Sequence, residues 1–285
     1  MLGKEIRRWA WGKTNKQRGI VTATVLIGTL PAIFVSFLNV RLSWPWKAVI
    51  GWPLFFLTSL LGMGTEIIIL NVAQEKKAKI QQVTTVFQKE WFKKILIVAL
   101  FQVLLSTIIS AGPLFLEWKG QQMIRTSGYQ EMLLNGKYLE ISTEIRTMYE
   151  QGGTMMSLGS LLQNIFLLIY TTITFPLYYL LLLFPEKTAF QVIREGVSLG
   201  FRSFWRILCF HFWVYLPLAG CFVALVLVFV VLERMELFSA VLFVLAAIGI
   251  SLWYLPYAIL ADAGLGLDLL GKMKTSVSKG KKKKR

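Results

Sequence analysis

Glu66 is the residue whose position in this 285-residue sequence most strongly suggests chemistry, because its carboxylate lies within a long apolar run. An ionisable side chain in the middle of a membrane-spanning helix costs about 3 kcal/mol, so it usually faces a partner helix, a polar cavity or an ion. At the rise of an α-helix, Glu66 lies about 10 Å from the inner end of its run. It is therefore our first candidate for a functional site.

Gln102 and His211 lie at a similar depth in two other apolar runs, and Tyr178 and Tyr254 can reach the same layer. We predict a polar layer in the inner half of a helix bundle, with Glu66 hydrogen-bonded to Gln102, His211 or a tyrosine. The layer would bind a cation, a proton or a polar head group. The alternative is structural: the groups satisfy one another and join helices, at about 0.6 kcal/mol per contact.

The sequence contains no recognisable catalytic motif. His211 is the only histidine and lies near the inner face, whereas Ser157 and Ser160 begin a run at the outer face, which disfavours a serine–histidine dyad. There is no HExxH motif, aspartate pair or Walker-type glycine loop. Cys209 and Cys221 are about 18 Å apart on one predicted helix, too far for a disulfide. We predict a protein that is not an enzyme and has no metal or cofactor.

Long apolar runs position these residues and predict an all-α membrane protein. Hydrophobic residues make up 55% of the sequence and charged residues 16%, whereas a soluble domain has about 25% charged residues. The apolar runs show no strand-like alternation, which disfavours a β-barrel. We predict a polytopic bundle in one membrane domain, 1–271, followed by a basic tail, 272–285. Its spans, about six in number and each of roughly 20 residues or more, are 19–40, 48–73, 95–117, 156–183, 206–232 and 238–261.

The distribution of charge predicts the orientation of this bundle. Most of the 31 Lys and Arg residues lie in the N-terminal segment, two alternate loops and the tail. The positive-inside rule therefore places both termini in the cytoplasm. Such a face attracts anionic lipid by about 1 kcal/mol per cation, whereas nucleic-acid binding is disfavoured because no nucleic-acid-binding motif accompanies the basic run. The predicted contacts to anionic lipid or a protein partner are Lys76, Lys77, Lys79, Lys93, Lys94, Arg202, Arg206, Lys281, Lys282, Lys283, Lys284 and Arg285.

The two long inner loops resemble each other. Apolar and aromatic residues recur at helical spacing from Ile80 to Trp91 and from Phe190 to Phe204, which predicts two amphipathic helices at the lipid interface. Their flanking runs also match, so we predict two tandem units, each a span, an interfacial helix and a returning span. The outer loop, 118–155, predicts a short helix or helical hairpin that ends at Gly152-Gly153. The alternative for this loop is a peptide-binding lid.

Three stretches carry a resemblance to a known family: the basic loop 87–92 after 62–70, the run 189–196 leading to Phe201-Arg202, and the sequence Trp253-Tyr254-Leu255-Pro256-Tyr257. Together they resemble the bacterial multi-pass membrane family known only as a domain of unknown function (number nine hundred and seventy-five). The resemblance implies a bacterial plasma-membrane protein and supplies no activity.

Three classes of function remain open. The one we favour is an accessory factor that binds another membrane protein, a complex or a second copy of itself through its basic cytoplasmic face. The second is a transporter or permease-like subunit for a lipid, a peptide or a small solute, with a cavity that contains Glu66. The third, an intramembrane enzyme, would need a nucleophile, a base and an acid clustered at one depth, which the sequence does not offer.

Overall fold

The structure is a computed structural model that describes residues 3–41, 46–136, 142–231 and 236–271. Within these ranges it contains only helices and their connections, which confirms the all-α prediction. The elements are α1 (Gly3–Arg41), α2 (Trp46–Ala73), a 3-10 helix (Ile80–Phe87), α3 (Lys89–Ser127), α4 (Tyr129–Leu134), α5 (Thr143–Leu183), α6 (Ala189–Arg202), α7 (Phe204–Val231) and α8 (Glu236–Leu269). The predicted basic tail, 272–285, lies outside the described residues.

Five of these helices are long and apolar enough to cross a membrane: α2, α3, α5, α7 and α8. Each overlaps one of the predicted spans. The predicted first span, 19–40, lies within α1, which is not among the five. The structure therefore supports a multi-pass membrane architecture, and the sixth span and the tandem repeat stay predictions.

The chain divides into two compact units, the first formed by residues 1–99 and 175–285 and the second by residues 100–174. The core of the first unit combines apolar side chains from α1, α2, α5, α7 and α8. Its buried members include Ile6, Ile69, Tyr179, Ile207 and Leu260. Because residues distant in sequence supply this core, the first unit brings the polar side chains of several helices together.

Helix α1 has a break at Gln17, where the backbone leaves helical geometry (φ −130°, ψ 30°). Before the break, Ile6 and Ala10 are fully buried, while Lys4, Arg8 and Trp11 are exposed. This first part is therefore an amphipathic segment whose apolar side packs into the first unit.

The first predicted interfacial helix differs from the structure. Residues 80–87 form a 3-10 helix of 8 residues, and Trp91 already belongs to α3. Val83 and Val86 are buried, and the backbone of Val83 packs directly against Gly64 of α2. This close contact with α2 keeps the segment short and tight, so it does not form the extended amphipathic helix that the sequence predicts.

The second predicted interfacial segment is helical, as α6, and its position at the lipid interface stays a prediction. Thr188 caps it, because its hydroxyl accepts a hydrogen bond from the Gln191 amide at 3.3 Å while the Gln191 side chain accepts one from the Thr188 amide at 2.9 Å. Ala189, Val192 and Gly196 form its buried side. Its aromatic residues Phe190 and Phe201 are exposed.

The second unit is formed by the facing parts of α3 and α5 with α4. Much of the predicted outer loop is helical, because α3 continues to Ser127 and α5 begins at Thr143. Gly152 and Gly153 lie inside α5, so the prediction that they end a helix is wrong. A Cβ on Gly152 would lie 2.8 Å from the Gly120 carbonyl oxygen. The absence of a side chain at this position therefore allows α5 to pack closely against α3.

Candidate functional site

Glu66 lies on α2 in the first unit, and its carboxylate belongs to a buried polar cluster. The residue as a whole is half-buried, but its Oε2 atom is shielded from solvent and has no hydrogen-bond partner among the described residues. Asp262 of α8 and Tyr179 of α5 are close enough to interact with it electrostatically. A carboxylate oxygen without a partner in a membrane-spanning helix is strongly stabilised by binding a proton or a cation.

Asp262 is the most connected member of this cluster. Its Oδ2 atom accepts a hydrogen bond of 2.7 Å from the Tyr215 hydroxyl. Its Oδ1 atom lies 3.3 Å from Nε2 of His211, within ion-pair distance. The angles between those two atoms do not satisfy a hydrogen bond, and both are buried without another partner in the described part of the chain. His211 and Asp262 are thus held near each other, but each keeps one polar atom without a hydrogen bond in the described part of the chain.

Helix geometry explains how these side chains meet. His211 and Tyr215 are separated by one helical turn of α7, so both project from the same side towards α8. Helix α8 continues through Asp262 to Leu269, which carries the carboxylate into the bundle. The ring of Phe175 packs edge-on against His211, with ring centroids 4.9 Å apart. That contact fixes the imidazole beside the aspartate.

The predicted polar layer is only partly reproduced. Glu66 and His211 both belong to the cluster. They are linked through Asp262, with which each of them interacts, and not by a direct contact. Tyr254 is buried nearby, and its hydroxyl donates a hydrogen bond to the carbonyl of Val214. Gln102 is buried in the second unit, where Tyr170 donates to its backbone carbonyl at 3.2 Å.

Tyr178 is half-buried, whereas the adjacent Tyr179 is buried and interacts with Glu66 and Asp262. Consecutive helical residues point about 100° apart, so only one of the two tyrosines can face the cluster. The structure thus places beside the two carboxylates a tyrosine, Tyr179, that the sequence prediction did not name. The buried side of α5, which also includes Leu177 and Leu181, was the signal that would have distinguished them.

Asp262 was missed because the predicted span ended one residue before it. The glycines that follow, Gly264 and Gly266, resemble a helix end in the sequence. In the structure they are packing positions: a Cβ on Gly264 would lie 2.7 Å from the Trp9 ring, and one on Gly266 would lie 2.5 Å from the Tyr179 ring. The spacing of His211 and Tyr215 was the available sequence signal, since it places two polar groups on one side of an apolar helix.

This arrangement can hold or transfer a proton, because two carboxylates, an imidazole and two phenols share one buried region. In the described ranges, no group of three or more His, Cys, Asp or Glu side chains lies close enough to bind a metal ion.

A second candidate region is the basic surface of the first unit. Lys76, Lys77 and Lys79 are exposed in the segment between α2 and the 3-10 helix, and we call them the lysine linker. They have no ion pair with a described residue. Their segment is not helical, yet its shape is fixed, because the Gln82 side-chain oxygen accepts hydrogen bonds from Asn71 and from the Lys79 amide, both at 3.1 Å.

The other predicted basic contacts differ in exposure and in whether they bind another residue of the chain. Lys93 and Arg202 are exposed. Lys94 donates a hydrogen bond to the carbonyl of Pro185, and Arg206 forms an ion pair with Asp268. The predicted contacts Lys281, Lys282, Lys283, Lys284 and Arg285 lie outside the described residues. Among the described members of the predicted set, the lysine linker therefore carries the most available charge.

One acidic group close to this surface is already neutralised. Glu75, directly before the lysine linker, accepts a hydrogen bond from Lys13 of α1. That hydrogen bond and the positive charge of Lys13 lower the pKa of Glu75 below its ordinary value. The contact ties the amphipathic segment of α1 to the end of α2 and leaves the three lysines without this local carboxylate.

Comparison with protein-family models, with curated proteins and with solved structures finds no match to this chain. The resemblance to the bacterial membrane family stays a prediction from the sequence.

Proposed function

We propose that this chain is an integral membrane protein that performs no catalysis and binds another membrane protein through its basic cytoplasmic surface. The observation that supports this proposal is the lysine linker, which carries three exposed cations in a fixed backbone shape. Gln82 fixes that shape with both polar atoms of its side chain: the oxygen accepts the two hydrogen bonds described above, and the nitrogen donates one to the carbonyl of Lys77 at 3.4 Å.

An acidic segment of a partner is the complementary ligand. Lys76, Lys77 and Lys79 have no carboxylate partner among the described residues, so an acidic partner would not have to displace an internal ion pair. Because the linker is already ordered, binding loses less conformational freedom than it would for a flexible loop. Complementary charge also increases the rate at which partners meet.

The test is purification of the tagged full-length protein from its native membrane, with quantitative mass spectrometry of the proteins that accompany it. The variant Lys76→Gln/Lys77→Gln removes two cations from the linker. We expect at least one acidic membrane protein to be retained by the unmodified chain and to be lost, about tenfold or more, from this variant.

The matched control is Lys119→Gln/Arg125→Gln, which removes two exposed cations from the second unit. It should retain the partner. Equal retention by all three forms would refute binding through the linker, and equal loss from both variants would show that only total charge matters.

A second candidate function is a transporter or permease-like subunit for a lipid, a peptide or a small solute. The observation that favours it is the buried Oε2 atom of Glu66, which has no hydrogen-bond partner in the described part of the chain and interacts electrostatically with Asp262. Buried ionisable groups of this kind occur along proton and ion pathways. In this alternative the cluster would take up and release a proton as the bundle changes conformation.

Substitution of Glu66 by Gln tests the transport alternative. Proton-coupled transport predicts that proton uptake by vesicles containing the purified protein is abolished, while the protein still folds and inserts. If Glu66→Gln leaves such fluxes and the thermal stability unchanged, the cluster has no role in transport.

A further inference from the structure

A cavity of about 320 Å³ opens between the amphipathic segment of α1, the beginning of α7 and the end of α8. Three cations line it: Lys4, Arg7 and Arg206. Phe210 and Leu265 form its apolar floor and are buried. This cavity is separate from the buried cluster around Glu66 and from the lysine linker.

The charge of the cavity is not balanced by its own acids. Arg206 is paired with Asp268, whereas Lys4 and Arg7 have no ion pair with any described residue. The neighbouring Glu5 does not line the cavity. Two cations therefore remain for a ligand, and an arginine and a lysine side by side are well suited to a phosphate group.

One wall of the cavity continues into the lipid-facing surface. Trp213 lines the cavity and is exposed on α7, one of the candidate membrane spans. The guanidinium of Arg7 lies over its ring, 5.9 Å from the centroid. Farther along α7, Leu216 and Val223 are also exposed. The cavity extends along α7 from Arg206, near the first residue of the helix, to Trp213. Its basic end therefore lies at the end of a candidate span, where head groups are expected, and its tryptophan end adjoins an apolar helix surface.

A phospholipid with an anionic head group matches both features. Its phosphate would occupy the cavity, and its acyl chains would lie along α7. A cavity of 320 Å³ has room for a head group and not for the chains, which agrees with its opening at Trp213. A free phosphate ion would use the cations but would gain nothing from the exposed apolar surface.

We propose that the cavity between α1, α7 and α8 binds the head group of an anionic phospholipid, with Lys4 and Arg7 contacting the phosphate and the acyl chains lying along α7 beside Trp213. This site does not depend on the protein partner proposed above. It gives the amphipathic segment of α1 a role of its own, because that segment contributes both free cations.

The experiment measures lipid retention by native mass spectrometry of the purified full-length chain in detergent. The protein is incubated with equal amounts of phosphatidylglycerol and phosphatidylcholine that carry identical acyl chains. We expect one phosphatidylglycerol to be retained in preference to phosphatidylcholine. The variant Lys4→Gln/Arg7→Gln should lower that retention about tenfold or more, because each cation near a lipid phosphate contributes about 1 kcal/mol.

Lys119→Gln/Arg125→Gln is the matched control, since it removes the same charge from exposed residues outside the cavity, and it should keep its phosphatidylglycerol. Equal loss from both variants, or equal retention of the two lipids by the unmodified chain, would overturn the proposal. Displacement of the lipid by millimolar inorganic phosphate would identify a site for free anions instead. If the double variant does not fold, Lys4→Gln alone decides, because Lys4 is exposed and a several-fold loss is still expected.

Discussion

Among the described residues, only the Tyr215 hydroxyl donates a hydrogen bond of good geometry to Asp262. The Tyr215 phenol donates to Oδ2, while Oδ1 has only the poorly aligned His211. When a buried carboxylate oxygen loses its hydrogen-bond donor, the free energy of its desolvation is no longer compensated and the folded state is destabilised. The stability of the cluster is therefore concentrated in the Tyr215–Asp262 contact.

We expect Tyr215→Phe to lower the free energy of unfolding by about 1–3 kcal/mol, because it leaves Asp262 without that donor. The measurement is the midpoint of thermal unfolding in detergent. Tyr149→Phe is the control, since Tyr149 is half-buried and its hydroxyl makes no hydrogen bond to a described residue. A similar decrease for both substitutions would show that loss of any tyrosine hydroxyl, and not the contact with Asp262, determines the result.

Glu75 predicts a pH dependence of the contact between α1 and α2. The pKa of this carboxyl is lowered by Lys13, so the contact stabilises the fold above the pKa of the unfolded state. That contribution is lost as the pH falls through the lowered pKa of the folded state.

Thermal unfolding of the unmodified chain and of Glu75→Gln should therefore differ at pH 7 and converge in acid. Because Glu75 is exposed, the difference at pH 7 should also shrink when salt is added. A difference that persists at low pH would show that the substitution destabilises the fold through the backbone, where residue 75 has a positive φ of 61°, and not through the ion pair.

Glycines determine how closely the helices approach one another. Gly62 and Gly64 are two residues apart on α2, so they face different sides of the helix and have different surroundings. A Cβ on Gly64 would lie 2.5 Å from the carbonyl oxygen of Val83, whereas one on Gly62 would meet nothing within 4 Å. The packing of the 3-10 helix on α2 therefore requires a glycine at position 64 and not at position 62.

We predict that Gly64→Ala lowers the free energy of unfolding by about 1–3 kcal/mol, because the new methyl group overlaps backbone that cannot move freely. Gly62→Ala should be neutral or stabilising by up to about 1 kcal/mol, as expected for alanine within a helix. Unfolding midpoints of the two variants in the same detergent give the comparison. Equal effects would mean that the 3-10 helix does not pack tightly on α2.

At this scale the sequence predicts the regular elements well and their ends poorly. Continuous apolar runs identify five spans, because the need to fill the hydrocarbon thickness with apolar residues acts on each helix alone. Asp262 and the shape of residues 80–87 depend on contacts with other helices. Hydrophobic periodicity carries no information on such contacts. Glu66 and His211 could therefore be found from the sequence, whereas the spacing of His211 and Tyr215 gave only an indirect signal of their shared neighbour.

The whole molecule has a proposed orientation that chemical labelling can test. Lys77 precedes α3 and Lys119 lies near its far end, so one crossing of the membrane separates them if α3 spans it. In a background of Cys209→Ser/Cys221→Ser, we expect Lys119→Cys to react with a membrane-impermeant maleimide on intact cells. Lys77→Cys should react only after the cells are permeabilised. Reaction of both on intact cells, or the reverse pattern, would contradict the proposed orientation.

The packing of α1 on α8 has a consequence for synthesis. Ile6 and Trp9 of α1 complete their contacts only when Gly264 is in place, which the ribosome adds roughly 250 residues later, or about 12–50 s at the usual rates of translation. During that interval the apolar side of the nascent amphipathic segment lacks the cover that α8 provides. The lipid surface or a chaperone must shelter it, so delayed translation of α8 would expose the newly made chain to quality-control proteases.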